Sequence, residues 1–168
     1  MKHGLFKTSA LIAASSLLLS ACSVVKDQIT DKVSFDLAAV NANMSLQQDG
    51  TYIPDLVTDL AVQVSIGNAS PVQLRLTQVN YQVYMGEALI AEGANSDQLA
   101  IAANGGTGDI TLRIALSGKK LLTEGLKLKR GESLPPFRVE GAAQVGTPIG
   151  QYALPFTLNY NEETKPSN

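Results

Sequence analysis

From Val33 onward the apolar residues recur at every second position, and that period limits what the chain can become. Leu60, Val62, Val64 and Ile66 fall on one side, with Ala61, Gln63 and Ser65 on the other; Ile110, Leu112, Ile114 and Leu116 alternate with Thr111 and Arg113. Successive side chains of a strand point to opposite faces, so each run describes a strand buried on one face only. Val79, Tyr81, Val83 and Met85 repeat the pattern, as do Phe137 with Val139, and Leu154, Phe156, Leu158 and Tyr160. Between Leu76 and Val79 the apolar positions slip from even to odd numbers, which predicts a bulge or bend inside one long strand. Turn residues separate the runs at Asn68 to Pro71, Met85 to Glu87, Asn104 to Gly108 and Gly146 to Gly150. Seven or eight such strands make an all-β, immunoglobulin- or fibronectin III-like β-sandwich. Its one short helix is expected over 118–125, where Lys119, Lys120, Leu121 and Leu122 follow a strand and precede Gly125. With 168 residues, 45% of them hydrophobic, the chain can close a single core, which the alternation places at 33–160. The tail 161–168, polar and Pro-containing, is expected to be mobile.

The N-terminus follows a different rule. Lys2 and Lys7 give a basic start, Ala10 to Leu19 form a short run of apolar and small residues, and small residues close it, the pattern of a secretory signal over 1–21. Ten residues are too few to span a bilayer, which needs about 20. The closing Leu19, Ser20, Ala21 and Cys22 resemble the lipobox of bacterial lipoproteins. That resemblance implies diacylglyceryl transfer to the Cys22 thiol, cleavage before it and a further palmitate-type acyl group on the freed amine. Residues 22–32 then form a tether. Ser23, rather than Asp, after the cysteine implies delivery to the outer membrane, with the domain facing the periplasm.

Cleavage changes the chemical inventory. His3 is the only histidine and Cys22 the only cysteine, so the mature chain has no imidazole and no free thiol. Triads of the Ser-His-Asp and Cys-His kinds, and His/Cys metal sites, are excluded, and no cofactor or metal is expected. Loss of Lys2 and Lys7 leaves 11 basic against 15 acidic residues, a balance that excludes nucleic acid as a partner. No catalytic residue and no small-molecule substrate are expected.

Several local patterns invite chemistry and fall short of it. Ser117-Gly118-Lys119-Lys120 lies between a strand and a helix, but Arg113 stands where a phosphate-binding loop needs Gly and Lys120 where it needs Ser or Thr. The glycines of Asn104 to Asp109 suit a turn as well as a ligand. Asp55, Asp59, Glu87, Glu92 and Asp97 show no spacing that argues for a paired-carboxylate site. Asn43-Met44-Ser45 and Asn68-Ala69-Ser70 match glycosylation sequons, which a bacterial lipobox makes irrelevant. Tyr81, Tyr84, Tyr152 and Tyr160 are the aromatic residues from which a sugar-binding face would be built. Lys119, Lys120, Lys127, Lys129 and Arg130 form the densest basic run, and their functional reading is contact with anionic lipid near the tether.

Taken together, LAVQVSIGNASPVQL, YQVYMGEALIAEG, AIAANGGTGDITLRIAL, FRVEGAAQV and YALPFTL resemble the late embryogenesis abundant type 2 family, whose domain is also called the water-stress and hypersensitive-response (WHy) domain. The family's Asn-Pro turn corresponds to Asn68, Ala69, Ser70 and Pro71, its Tyr-x-Val-x-x-x-Gly segment to Tyr81, Val83 and Gly86 or Glu87, and its Ala-x-Gly to Ala91, Glu92 and Gly93. The resemblance, to lipidated copies in Gram-negative bacteria in particular, implies a non-enzymatic sandwich that protects partly unfolded client proteins or membrane against desiccation, osmotic stress or cold. A second reading is an adaptor that binds another envelope protein by adding a strand at an exposed sheet edge.

Overall fold

A computed structural model describes residues 29–48, 55–123 and 135–161. Among the described residues these elements follow one another: β1 (Val33–Gln47), β2 (Asp55–Asn68), β3 (Leu74–Met85), β4 (Ala88–Asn95), β5 (Leu99–Ile101), β6 (Gly106–Ser117), α1 (Gly118–Thr123), β7 (Phe137–Thr147) and β8 (Gly150–Tyr160). They form two antiparallel sheets, β1-β2-β6 and β4-β3-β7-β8, with β5 continuing the β4 edge of β3. This is the all-β sandwich with one short helix that the alternation demands. The expected helix is described as far as Thr123; Glu124 and Gly125, the signal, Cys22 and the tail beyond Asn161 lie outside the described residues.

The inward-facing positions are those the period selects. Val62, Val64, Leu112 and Leu116 from one sheet meet Leu74, Val83, Val139 and Ala143 from the other, all below 1% exposed. Removing one such leucine side chain costs about 2–5 kcal/mol in a core of this kind, a large part of a domain's net stability. The even-to-odd slip is a bulge: the register of β3 against β7 jumps between Leu76 and Gln78, so Thr77 and Gln78 are both exposed. Two further shifts, at Leu37/Ala39 in β1 and Val83/Tyr84 in β3, leave less trace in the sequence.

The strands give the sandwich two distinct ends. Val33, Asn68 and Gly106 line up at the lower end, beside Leu74, Ile101 and the β7–β8 hairpin. The upper end carries Gln47, Asp55, Ser117, α1 and the β3–β4 hairpin. Fourteen residues of β2 separate them, about 45 Å at strand rise. Ile29 is 2% exposed and joins the core, and the Ala69 amide donates to the Lys32 carbonyl (2.8 Å). Residues 29–32, expected as tether, are therefore packed against the lower end of the domain.

Both long sides of the sandwich are closed by side chains. On one side Phe35 of β1 stacks on Phe156 of β8, ring centres 5.0 Å apart. On the other, Tyr81 leans over Gly93, where any Cβ would lie 2.5 Å from its oxygen, and donates its hydroxyl to the Arg113 carbonyl at 2.6 Å. Asn95 donates to the neighbouring Thr111 carbonyl at 2.9 Å. Two carbonyls on the open edge of β6 are thus taken by side chains of the opposite sheet, a device that blunts strand addition there.

Burial raises the Tyr81 hydroxyl above its ordinary value of 10.0, so it remains a donor at neutral pH. A group whose folded value is raised stabilises the fold below its unfolded value and loses that contribution as pH climbs through the folded one. Tyr81→Phe is expected to cost about 1–2 kcal/mol at neutral pH in urea unfolding, from the unmet Arg113 carbonyl, and to lessen the stability loss above pH ~10. Unchanged stability at both pH values would contradict this role.

Candidate functional site

The lower end is organised by a polar side chain in an apolar setting. Asn68 closes β2, is 1% exposed, and its Nδ2 donates to the carbonyls of Val72 and Ala102, both at 2.9 Å. Its Oδ1 accepts from the Ser70 amide at 3.1 Å and the Ser70 hydroxyl at 2.6 Å. Its backbone carbonyl accepts from the Gly105 amide at 2.7 Å, while the Ser70 carbonyl accepts from Asn104 at 2.8 Å. One amide thus ties the β2–β3 crossover to the β5–β6 turn. The turn itself needs left-handed backbone, which Asn104 (φ 58°) and Gly105 (φ 98°) supply.

This geometry settles two patterns in the sequence. The glycine-rich loop spends the amides of Asn104 and Gly105 on Ser70 and Asn68, so neither is available to an anion. The sequon at Asn68 is buried and fully hydrogen-bonded, so it takes no glycan. The departure from a simple Asn-Pro turn has a physical reason: Asn68 and Ser70, two apart, make a side-chain-closed turn, while Pro71 stays at the surface.

At the upper end Ser117-Gly118-Lys119-Lys120 is a strand-to-helix turn. Gly118 packs so closely that a Cβ would lie 2.8 Å from the Leu56 carbonyl. The Asp55 carboxylate accepts from the Ser117 hydroxyl and, at 3.0 Å, from the Lys119 amide, holding the start of α1 to β2. Lys119 and Lys120 are exposed, with Leu122 at 63% and Leu46 at 70%. These two lysines therefore stand at the end opposite Ile29. Lys127, Lys129 and Arg130 lie outside the described residues, as do Cys22, Leu19, Ser20 and Ala21.

The carboxylates are dispersed. Asp55 serves the helix, Asp97 accepts from Asn95, and Asp59 and Glu87 are exposed on separate strands or turns. Glu92 has a counterpart the sequence did not single out: Glu140 pairs with the other side of Gln82, putting the two acids two strands apart. Glu140 is held by Arg138 at 2.7 Å. Both acids, with Asn80 and Gln82, border an open depression of 750 Å³ on the outer face of the larger sheet. Among the described residues no group of three or more His, Cys, Asp or Glu is placed to hold a metal. The tyrosines do not share a face: Tyr81 is buried, Tyr152 and Tyr160 pack against the core, and the Tyr84 ring lies under the Arg138 guanidinium at 5.0 Å.

Asn68→Ala removes both donors from buried carbonyls and the acceptor from Ser70. Each orphaned group costs about 1–3 kcal/mol, so a loss of at least about 3 kcal/mol is expected in urea unfolding. A loss below about 1 kcal/mol would refute the hub role.

Comparison with known proteins follows the same lines. A family model described as late embryogenesis abundant protein matches residues 63–159. No curated protein matches the chain. Among solved structures, an X-ray structure of a structural genomics target is 11% identical, covers 83% of this chain and 95% of its own, and gives a TM-score of 0.50. A crystal structure of a protein from Archaeoglobus fulgidus is 13% identical over 74% of this chain and 94% of its own, TM-score 0.47. A solution structure of an Arabidopsis thaliana protein is 11% identical over 76% and 82%, TM-score 0.47. At these identities the likeness concerns the fold alone.

Proposed function

The chain belongs to the late embryogenesis abundant protein family, and we propose that it is a non-enzymatic envelope lipoprotein that shields partly unfolded proteins or membrane during desiccation, osmotic stress or cold. The observation that carries this reading is the outer face of the larger sheet. Thr77, Gln78, Asn80, Gln82, Thr157 and Asn159 are all exposed there, uncharged donors and acceptors set around Glu92 and the Arg138–Glu140 ion pair over a closed apolar core. Such groups replace water's hydrogen bonds one at a time, which suits brief contact with many clients. The alternation of the strands is what brings them to one side.

Anchoring through Cys22 supports placement at the periplasmic side of the outer membrane, as the lipobox implies. Two or more acyl chains, at about 0.8 kcal/mol per buried CH2, hold a domain to a bilayer for long times. The adaptor reading finds less support, because two carbonyls on the β6 edge are already occupied by Tyr81 and Asn95.

A labile enzyme dried with the mature protein is expected to retain more activity on rehydration than with an equal mass of inert protein; equal losses would overturn the protective role. In cells, Cys22→Ser is expected to move the protein from the membrane to the soluble fraction. A mature N-terminus lacking acyl mass on Cys22 would overturn the anchor.

A further inference from the structure

Where the chain joins the sandwich decides which end meets the bilayer. Ile29 is buried in the core and Lys32 is bonded to Ala69, so the polypeptide preceding them leaves at the lower end. Six residues, 23–28, separate Cys22 from Ile29, and at most about 25 Å of extended chain spans that gap. The domain itself is nearly twice as long along β2. An acyl group on Cys22 therefore keeps the lower end close to the lipid, while Lys119 and Lys120 can stand farthest from it.

The chemistry of the two ends differs in the same sense. The turns over 69–73, 102–105 and 147–150 contain no charged residue; beside them Asp31 and Lys32 are exposed where the chain enters. The upper end carries Asp55, Glu87, Lys119 and Lys120. At the tip of the β7–β8 hairpin Pro148 is exposed and Ile149 is 55% exposed, one of four large apolar side chains so placed among the described residues. The tip is braced: the Thr147 hydroxyl donates to the Gly150 carbonyl at 3.0 Å and accepts from the Ile149 amide at 3.2 Å, and Gly150 takes φ 148°. Beside it Arg75 faces outward from β3, opposite Gly146, and shares with Thr147, Pro148 and Gly150 a depression of 400 Å³. Arg75 makes no ion pair among the described residues.

A rigid apolar tip next to an unpaired guanidinium suits the headgroup layer, where carbon reaches the acyl boundary and a cation meets phosphate. We propose that Pro148, Ile149 and Arg75 form a membrane-seating surface for phospholipid, which stands the sandwich upright and turns its upper end away from the bilayer. This rests on the acyl anchor of the preceding reading.

The test uses the full lipidated protein in phosphatidylcholine vesicles. Its native thiol is acylated, so Ile149→Cys and, separately, Leu122→Cys each offer one site for an environment-sensitive dye. Both proteins are expected to float with the vesicles, with blue-shifted emission and quenching by headgroup-level nitroxide lipid at position 149 and neither at 122. Adding Arg75→Glu is expected to reduce the quenching at 149; unchanged quenching would remove Arg75 from the surface. Flotation without quenching at 149, or equal quenching at both positions, overturns the seating surface and leaves the anchor standing. Absence of flotation overturns the anchor and the seating surface together.

Discussion

The side-chain amide of Asn68 is the point on which the arrangement turns. A sandwich must carry its chain from one sheet to the other, and every crossover brings backbone polar groups to the mouth of the core, where water cannot serve them. Here one residue serves two segments: its own crossover through Ser70 and Val72, and the returning β5–β6 turn through Ala102 and Gly105. The neighbouring Ala69 amide then fastens the incoming chain at Lys32. The lower end is therefore a locked joint, although its residues read as loop. The orientation proposed for the domain on the bilayer follows from that joint, because it fixes where the polypeptide enters the domain.

Much of the architecture was legible because a strand's period is two and the core is apolar. Leu60 to Ile66 and Ile110 to Leu116 announce their buried faces, and the slip between Leu76 and Val79 marks the β3 bulge. Side-chain hydrogen bonds over long separations leave no such trace. Asn68 looked like one element of a turn, and only its spacing to Ser70 hinted at a closed one. Tyr81 alternates as an ordinary core residue, yet its hydroxyl reaches the Arg113 carbonyl 32 positions away. The placement of Lys119 and Lys120 at the end opposite Ile29 also follows from topology, since it depends on how many strands separate them from Ile29. Charge spacing along the chain carries no such information.

Among the described residues the acids are dispersed. Asp55 and Asp97 are occupied with local structure, and Glu140 is paired with Arg138. What the outer face of the larger sheet offers is a polar surface, most of it uncharged, over a closed core. Membership of the late embryogenesis abundant family and this surface both accord with the proposed role, contact with many partners.

The locked joint is tested most directly by amide hydrogen exchange. The amides of Ala69, Ser70, Asn104 and Gly105, although in turns, are expected to exchange only through global unfolding, as slowly as that of Leu112 in the core. Exchange on the timescale of an open loop would contradict the joint, and with it the fixed exit from which the orientation of the domain was deduced.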